Sequence, residues 1–174
     1  MFPHFALLFL LSLQFTVLFL HSNQILQKNT SENSSHTISE DNQNNKKQCL
    51  FCQWAPDKEI QSIFKFKHCF AVKDNFPVSD GHLLIIPYQH FDNWFSTPQE
   101  IQNDIMNAIN KLKIVLDAEY KPDGYNIGMN CGQAAGQTVM HLHVHLIPRY
   151  KGDIENPKGG VRGVIPSKQN YQTT

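Results

Sequence analysis

Gln137-Thr138-Val139-Met140-His141-Leu142-His143-Val144-His145-Leu146-Ile147 sets imidazoles and apolar side chains in alternation. On a β-strand successive side chains point to opposite faces. His141, His143 and His145 therefore share one face, expected to meet solvent, while Leu142, Val144 and Leu146 enter a core. Three imidazoles in a row serve no packing purpose, so this strand carries chemistry. Spacing alone admits two kinds. Neutral imidazoles can act as nucleophile and proton donor near pH 7, and His-x-His can also place two ligands on one metal ion.

The last strand, His143–Pro148, follows a small, flexible connection, Gly132–Gly136, and another strand, Tyr125–Asn130. Before them Ile101, Ile105, Ile109, Leu112 and Leu116 recur at helical spacing, so Pro98 to about Tyr120 is one amphipathic helix. Thr97 is the expected N-cap, with Pro98 in the first position and Glu100 closing a capping box; Lys121-Pro122-Asp123-Gly124 stops the helix. Phe66–Lys73 reads as a strand, and Asp74-Asn75-Phe76-Pro77 and Ser79-Asp80-Gly81 as turn chemistry. His82–Ile86 is a further strand, ended by Pro87. Strands on both sides of one long helix, joined by short connections, predict an α+β class with a mainly antiparallel sheet.

The chain has 174 residues, and 15 Lys+Arg balance 15 Asp+Glu. No basic stripe opposes phosphate repulsion, which excludes long nucleic acid as the main partner. A mean hydropathy of −0.37 excludes a multi-span membrane protein. No Lys, Arg, Asp or Glu precedes Lys28, and Phe5–Leu20 is apolar except for Ser12, Gln14 and Thr16. As a helix that run would reach ~24 Å, short of the ~30 Å hydrocarbon core. Residues 1–22 are expected to be a signal-like or anchor segment, the only part that would contact a membrane. Its length suits a signal, but no basic n-region or clear cleavage site accompanies it. Secretory or membrane-anchored placement is the expectation, with a cytoplasmic protein read from an upstream start as the alternative. Residues 23–47, dominated by Asn, Gln, Ser and Thr, should be a disordered linker, because they hold too little apolar surface to offset ordering entropy. The folded domain is expected over 48–174.

The domain carries an ordered series of motifs: Cys49-Leu50-Phe51-Cys52; Asp74 with Gly81-His82-Leu83-Leu84-Ile85-Ile86-Pro87; Gly124-Tyr125-Asn126-Ile127-Gly128-Met129-Asn130; Ala135-Gly136-Gln137-Thr138; and His-φ-His-φ-His-φ-φ, with φ apolar. Together they resemble the histidine triad (HIT) nucleotide hydrolases and transferases. The tail Gly159-Gly160-Val161-Arg162-Gly163-Val164-Ile165-Pro166 is similar to a microbial, diadenosine-polyphosphate-hydrolase-like branch. The resemblance implies a HIT-like fold, a nucleotide substrate and a homodimer, with no organic cofactor. It implies that His143 attacks the α-phosphorus of a nucleotide conjugate, a dinucleoside polyphosphate or nucleoside phosphoramidate, and that water releases a nucleoside monophosphate. His145 would contact the phosphate and assist the leaving group, and His141 completes the triad. Asn130 and Thr138 match positions that hydrogen-bond the phosphate or orient the histidines, as does Gln137. Asp74 would accept the ribose hydroxyls, Leu50, Phe51 and Val72 would line the base, and His82 would stand beside the phosphates. Arg162, with Lys151 and Lys158, would reach the leaving group. Two other readings remain: a nucleotidyl transferase or phosphorylase, in which the third His tends to be Gln, and a non-catalytic nucleotide-binding regulator.

Cys49-x-x-Cys52 has zinc-ligand spacing but supplies two ligands; a redox pair or a disulfide fits the same spacing. The resemblance implies a structural zinc on Cys49, Cys52, His90 and His141. Cys69 and Cys131 read as buried thiols.

Overall fold

Leu83-Leu84-Ile85-Ile86-Pro87 is apolar without alternation, the pattern of a strand covered on both faces. In the computed structural model, which describes residues 49–54 and 62–171, that strand is the centre of the fold. The elements are α1 (Leu50–Gln53), β1 (Ser62–Lys65), β2 (Cys69–Lys73), β3 (Leu83–Pro87), α2 (Gln99–Tyr120), β4 (Gly124–Gly128) and β5 (Val144–Arg149). Short 3-10 turns lie at Trp94–Ser96, Gln133–Ala135, Gly160–Val164 and Pro166–Lys168. The strands form one antiparallel sheet in the order β1-β2-β3-β5-β4. The α+β class and the antiparallel sheet with one long helix are as the sequence predicts.

Each face of the sheet buries its own apolar cluster. On one, Ala71, Leu83, Ile85, Val144 and Leu146 pack against the α2 stripe of Ile101, Ile105, Ile109, Leu112 and Leu116. Fully burying one such side chain is worth ~1.5–3 kcal/mol, so this stripe, and not intrinsic propensity, holds α2. On the other face Phe70, Val72, Leu84 and Ile86 pack under Phe51 of α1. The turn into β3 requires Gly81: its φ is +80°, and a Cβ there would meet Tyr120, Leu116 and Pro148 at 3.1–3.2 Å.

Four local expectations are corrected. Phe66–Lys73 is not one strand: the Phe66 N–H donates to the Cys69 carbonyl at 2.8 Å, closing a tight turn between β1 and β2. Asp104 of α2 accepts the His68 N–H at 2.7 Å and holds that turn. The helix N-cap is Pro98, not Thr97, because Thr97 ends the preceding 3-10 turn and its hydroxyl donates to the Asn93 carbonyl. The capping box belongs to Asn93 and Ser96, while Glu100 pairs with Lys67 at 2.6 Å. Finally, the triad is neither wholly within a strand nor solvent-facing. β5 begins at Val144, and His141 and His143 are 0% and 7% exposed because α1 covers them. Leu142, Val144 and Leu146 do enter the core.

Residues 1–22 and 23–47 lie outside the described residues. Among the described residues no helix is long and apolar enough to cross a membrane.

Candidate active site

Cys49 caps α1 and Cys52 lies one turn on, facing His90 after β3 and His141 before β5. Cys49 Sγ is 3.4 Å and Cys52 Sγ 3.5 Å from His141 Nδ1, and Cys52 Sγ is 3.2 Å from His90 Nδ1. A tetrahedral zinc with two thiolates and two imidazoles separates sulfur from nitrogen by roughly 3.5 Å. The donors sit at that spacing, and all four lie within 4.8 Å of one another. The outer contacts also suit a metal. His141 Nε2–H donates to the Pro87 carbonyl at 3.0 Å, which turns the Nδ1 lone pair toward the sulfurs. Asp92 Oδ1 stands 3.4 Å behind His90 Nε2 in the same relation. Burial pushes the His141 imidazole down to about 4, so its lone pair is free at neutral pH.

Backbone partners fix the other tautomers. His143 Nδ1–H donates to the His141 carbonyl at 2.8 Å, which leaves Nε2 with an unshared pair. The Phe51 ring meets the His143 ring edge-on at 5.1 Å. The β2–β3 hairpin pairs Lys73 with Leu83 and bonds the Asp74 N–H to the His82 carbonyl, so the eight-residue spacing brings Asp74 opposite His82. His82 shares the face of Leu84, whose partner on β5 is His145. The Val78 N–H donates to His82 Nδ1 at 3.3 Å, so His82 carries its proton on Nε2 and donates it to His145 Nδ1 at 3.0 Å. His145 in turn holds its proton on Nε2. Burial, helped by the neighbouring His143 and His82, pushes His145 down to about 4; burial also lowers His82, against the pull of Asp74. A bare imidazole nitrogen thus stands beside an N–H donor, with ring centroids 5.3 Å apart. That pair can attack an electrophile and hydrogen-bond what departs.

Asp74, His82, Asn130 and His145 line one cleft of about 570 Å³. Asp74 Oδ1 accepts the Phe76 N–H at 2.9 Å, and Oδ2 lies 3.5 Å from His82 Nδ1. Asn130 Nδ2 donates to the Gly136 carbonyl at 3.4 Å. The other expected site residues lie elsewhere. Phe51 and Val72 are buried in the second apolar cluster, whereas Leu50 and Thr138 border Cys49 and His90. Gln137 is buried and spends its whole amide on backbone: it donates to the Asp92 and Val139 carbonyls at 2.5 and 3.0 Å and accepts the Gly132 N–H at 2.7 Å. Arg162 donates to the Lys168 and Gln169 carbonyls, and Lys151 pairs with Asp123. Sequence reasoning did not reach Asp92, although a carboxylate two residues after an expected metal histidine is a readable signal. The Val78 N–H and the Pro87 carbonyl are main-chain groups and leave no signal.

The HIT domain family model matches residues 56–152. The chain belongs to the HIT family. This HIT protein is 36% identical over 107 residues to Protein hit of Bacillus subtilis, a match covering 60% of this chain and 74% of that one. It is 31% identical over 109 residues to adenylylsulfatase HINT3 of Arabidopsis thaliana, covering 60% of this chain and 54% of that one. It is 32% identical over 98 residues to the AP-4-A phosphorylase of Mycobacterium tuberculosis, covering 56% and 50%. The HIT chain thus spans about half the length of those two enzymes. Among solved structures, a zinc-bound histidine triad family protein of Mycobacterium smegmatis superposes with a TM-score of 0.58 at 29% identity, over 64% of this chain and 81% of that one.

Proposed function

We propose that this HIT protein is a hydrolase that cleaves a nucleotide conjugate at its α-phosphate through a nucleotidyl-His143 intermediate. The observation that carries the reading is the His143 tautomer: Nδ1–H is committed to the His141 carbonyl, so the Nε2 pair is free. That pair forms a bond to phosphorus as the bond to the leaving group breaks. Water then attacks the same phosphorus, the electrons of the N–P bond return to Nε2, and a nucleoside monophosphate departs. The leaving group takes up a proton from solvent in the first half and the attacking water gives one back to solvent in the second, while the His145 Nε2–H hydrogen-bonds to both and keeps its own proton. Asp74 would accept the ribose hydroxyls, a carboxylate offering two acceptors to two donors. His82 acts through His145. Asn130, which lines the cleft with Asp74 and His145, would meet the phosphate, while Leu50 and Thr138 stand beside the candidate metal donors and Phe51 and Val72 pack in the second apolar cluster. Gln137 holds the Gly132–Gln137 loop in place.

Cys49, Cys52, His90 and His141 would hold zinc. Four protein ligands leave no open position, so the metal would serve the fold and not the reaction. A homodimer is part of the reading, since β4 is an edge strand that itself carries the exposed Ile127. The AP-4-A phosphorylase relative supports a second reading, in which phosphate replaces water as acceptor. Incubation with a labelled conjugate and a quench that avoids acid should leave nucleotide on His143. His143→Ala should lose several orders of magnitude in monophosphate release while nucleotide binding stays measurable. Activity within tenfold of the parent protein would overturn the assignment. Release of a nucleoside diphosphate in the presence of phosphate would favour the phosphorylase.

A further inference from the structure

His90 follows β3, and the main chain is held on both sides of it. The Tyr88 N–H donates to the His68 carbonyl at 3.0 Å, and the Phe91 carbonyl accepts the Leu142 N–H at 2.7 Å. The Asp92 carbonyl accepts the buried Gln137 amide at 2.5 Å. With the backbone set, what remains is the rotation of the imidazole about its two side-chain torsions. Packing decides part of it: the side chain is 14% exposed, and its ring meets the His141 ring edge-on with centroids 4.8 Å apart. A half-turn of the ring would keep nearly the same shape, yet it would carry Nδ1 away from Cys52 Sγ, now 3.2 Å off.

Polar contacts tell those two orientations apart. Nδ1 faces Cys52, and Nε2 faces Asp92 Oδ1 at 3.4 Å. When Nδ1 gives its pair to a metal, the ring proton sits on Nε2 and the carboxylate is its acceptor. The distance exceeds the ~2.8 Å of a closed charge-assisted bond. The carboxylate is 70% exposed and lines an open cleft of about 420 Å³ with Cys49 and His90, so it is free to close that gap. Among the described residues no Lys or Arg lines this cleft to draw the carboxylate away. A cation on Nδ1 withdraws electrons from the ring and makes Nε2–H a stronger donor. The bond to Asp92 therefore tightens with the metal bound and contributes little without it. His141 differs, because its outer partner is the Pro87 carbonyl, a main-chain group that no side-chain substitution removes.

We propose that Asp92 is a positioning residue for the metal site: its carboxylate holds the His90 ring with Nδ1 toward Cys52 and raises the affinity of the four donors for zinc. This inference rests on the zinc reading above and adds to it a residue outside the donor set.

The test titrates the full chain, stripped of metal, with zinc against a competing chelator, and follows melting with zinc and with excess chelator. Asp92→Ala should bind zinc about tenfold more weakly or worse, since loss of an outer partner of this kind lowers metal affinity by ~10–100-fold. Asp92→Asn, whose side-chain oxygen still accepts from Nε2, should recover part of the loss. Asp92 is exposed, so neither change removes core packing. Stability in chelator should match the parent protein in both variants, and only the rise that zinc adds should shrink. Equal zinc affinity in the parent and in Asp92→Ala would overturn the role of Asp92 and leave the four-donor site standing. A parent protein that binds no zinc would overturn both. Melting lowered equally with and without zinc would assign Asp92 to the fold, which overturns the inference. An Asp92→Asn protein as weak in zinc binding as Asp92→Ala would reduce the effect to charge and overturn the positioning role.

Discussion

His145 shows how one residue's surroundings set its use. Burial and two neighbouring imidazoles hold its pKa at about 4 in the fold, against about 6.5 in an unfolded chain. Between those values the unfolded chain binds more protons than the folded one. The contribution of His145 to stability is therefore complete above about pH 6.5 and is lost as pH falls toward 4. Melting curves across that window should show the midpoint dropping with acidification, and the drop should be shallower in His145→Gln. Equal slopes in the two proteins would mean that other groups carry the acid sensitivity. His82 works in the same direction and completes the chain of partners from the Val78 N–H to His145. His141 and His143 each spend one nitrogen on a backbone carbonyl and His145 spends one on His82, and in each the other nitrogen inherits its role from that bond.

At the scale of elements, α1 joins the candidate metal donors to the triad. It has four residues, too few to be stable alone, yet it supplies Cys52 and Phe51, and Phe51 packs against both His141 and His143. A metal held by Cys49, Cys52, His90 and His141 would tie α1 to the ends of β3 and β5. It would thereby fix the His141 carbonyl that orients His143. Metal binding to such a set adds to folding free energy. Cys49→Ser should lower zinc content and melting temperature together, as measured by metal analysis and by melting curves with and without chelator on protein purified without a His tag. Its folded fraction should keep more activity than any His143 variant. A zinc-free preparation of the parent protein with an unchanged melting curve would refute the structural metal, and a Cys49–Cys52 disulfide found by mass spectrometry would return the alternative left open by the spacing. Gln137 extends this unit: its amide bonds the Asp92 carbonyl beside His90 to the Gly132 loop, so the segment carrying His90 and the loop share one brace.

For the whole molecule, the sequence marks residues 1–46 as a separate appendage, and the described apolar clusters are built from residues between Cys49 and Leu146. Removing residues 1–46 should leave a soluble domain whose turnover equals that of the full chain; insoluble or inactive protein would place the boundary elsewhere. The sequence by itself determined the fold class, the α2 stripe and the alternation that buries Leu142, Val144 and Leu146, because periodicity is a local property that burial reads directly. The Cys-x-x-Cys pair was legible as two possible zinc ligands, while His90 and His141 entered through the family resemblance, and the fold brings all four within 4.8 Å of one another. The sequence did not determine that the triad is covered, because α1 lies some ninety residues before it in the chain and reaches it only through packing. Nor did it separate Gln137 and Arg162, which brace backbone, from Asp74 and His145, which line the cleft; a side chain's partners depend on which carbonyls fold next to it. The tautomers of His82, His141 and His143 were decided only by tertiary structure, for the same physical reason: their partners are the Val78 N–H and the Pro87 and His141 carbonyls, main-chain groups that every sequence contains and only a fold can aim.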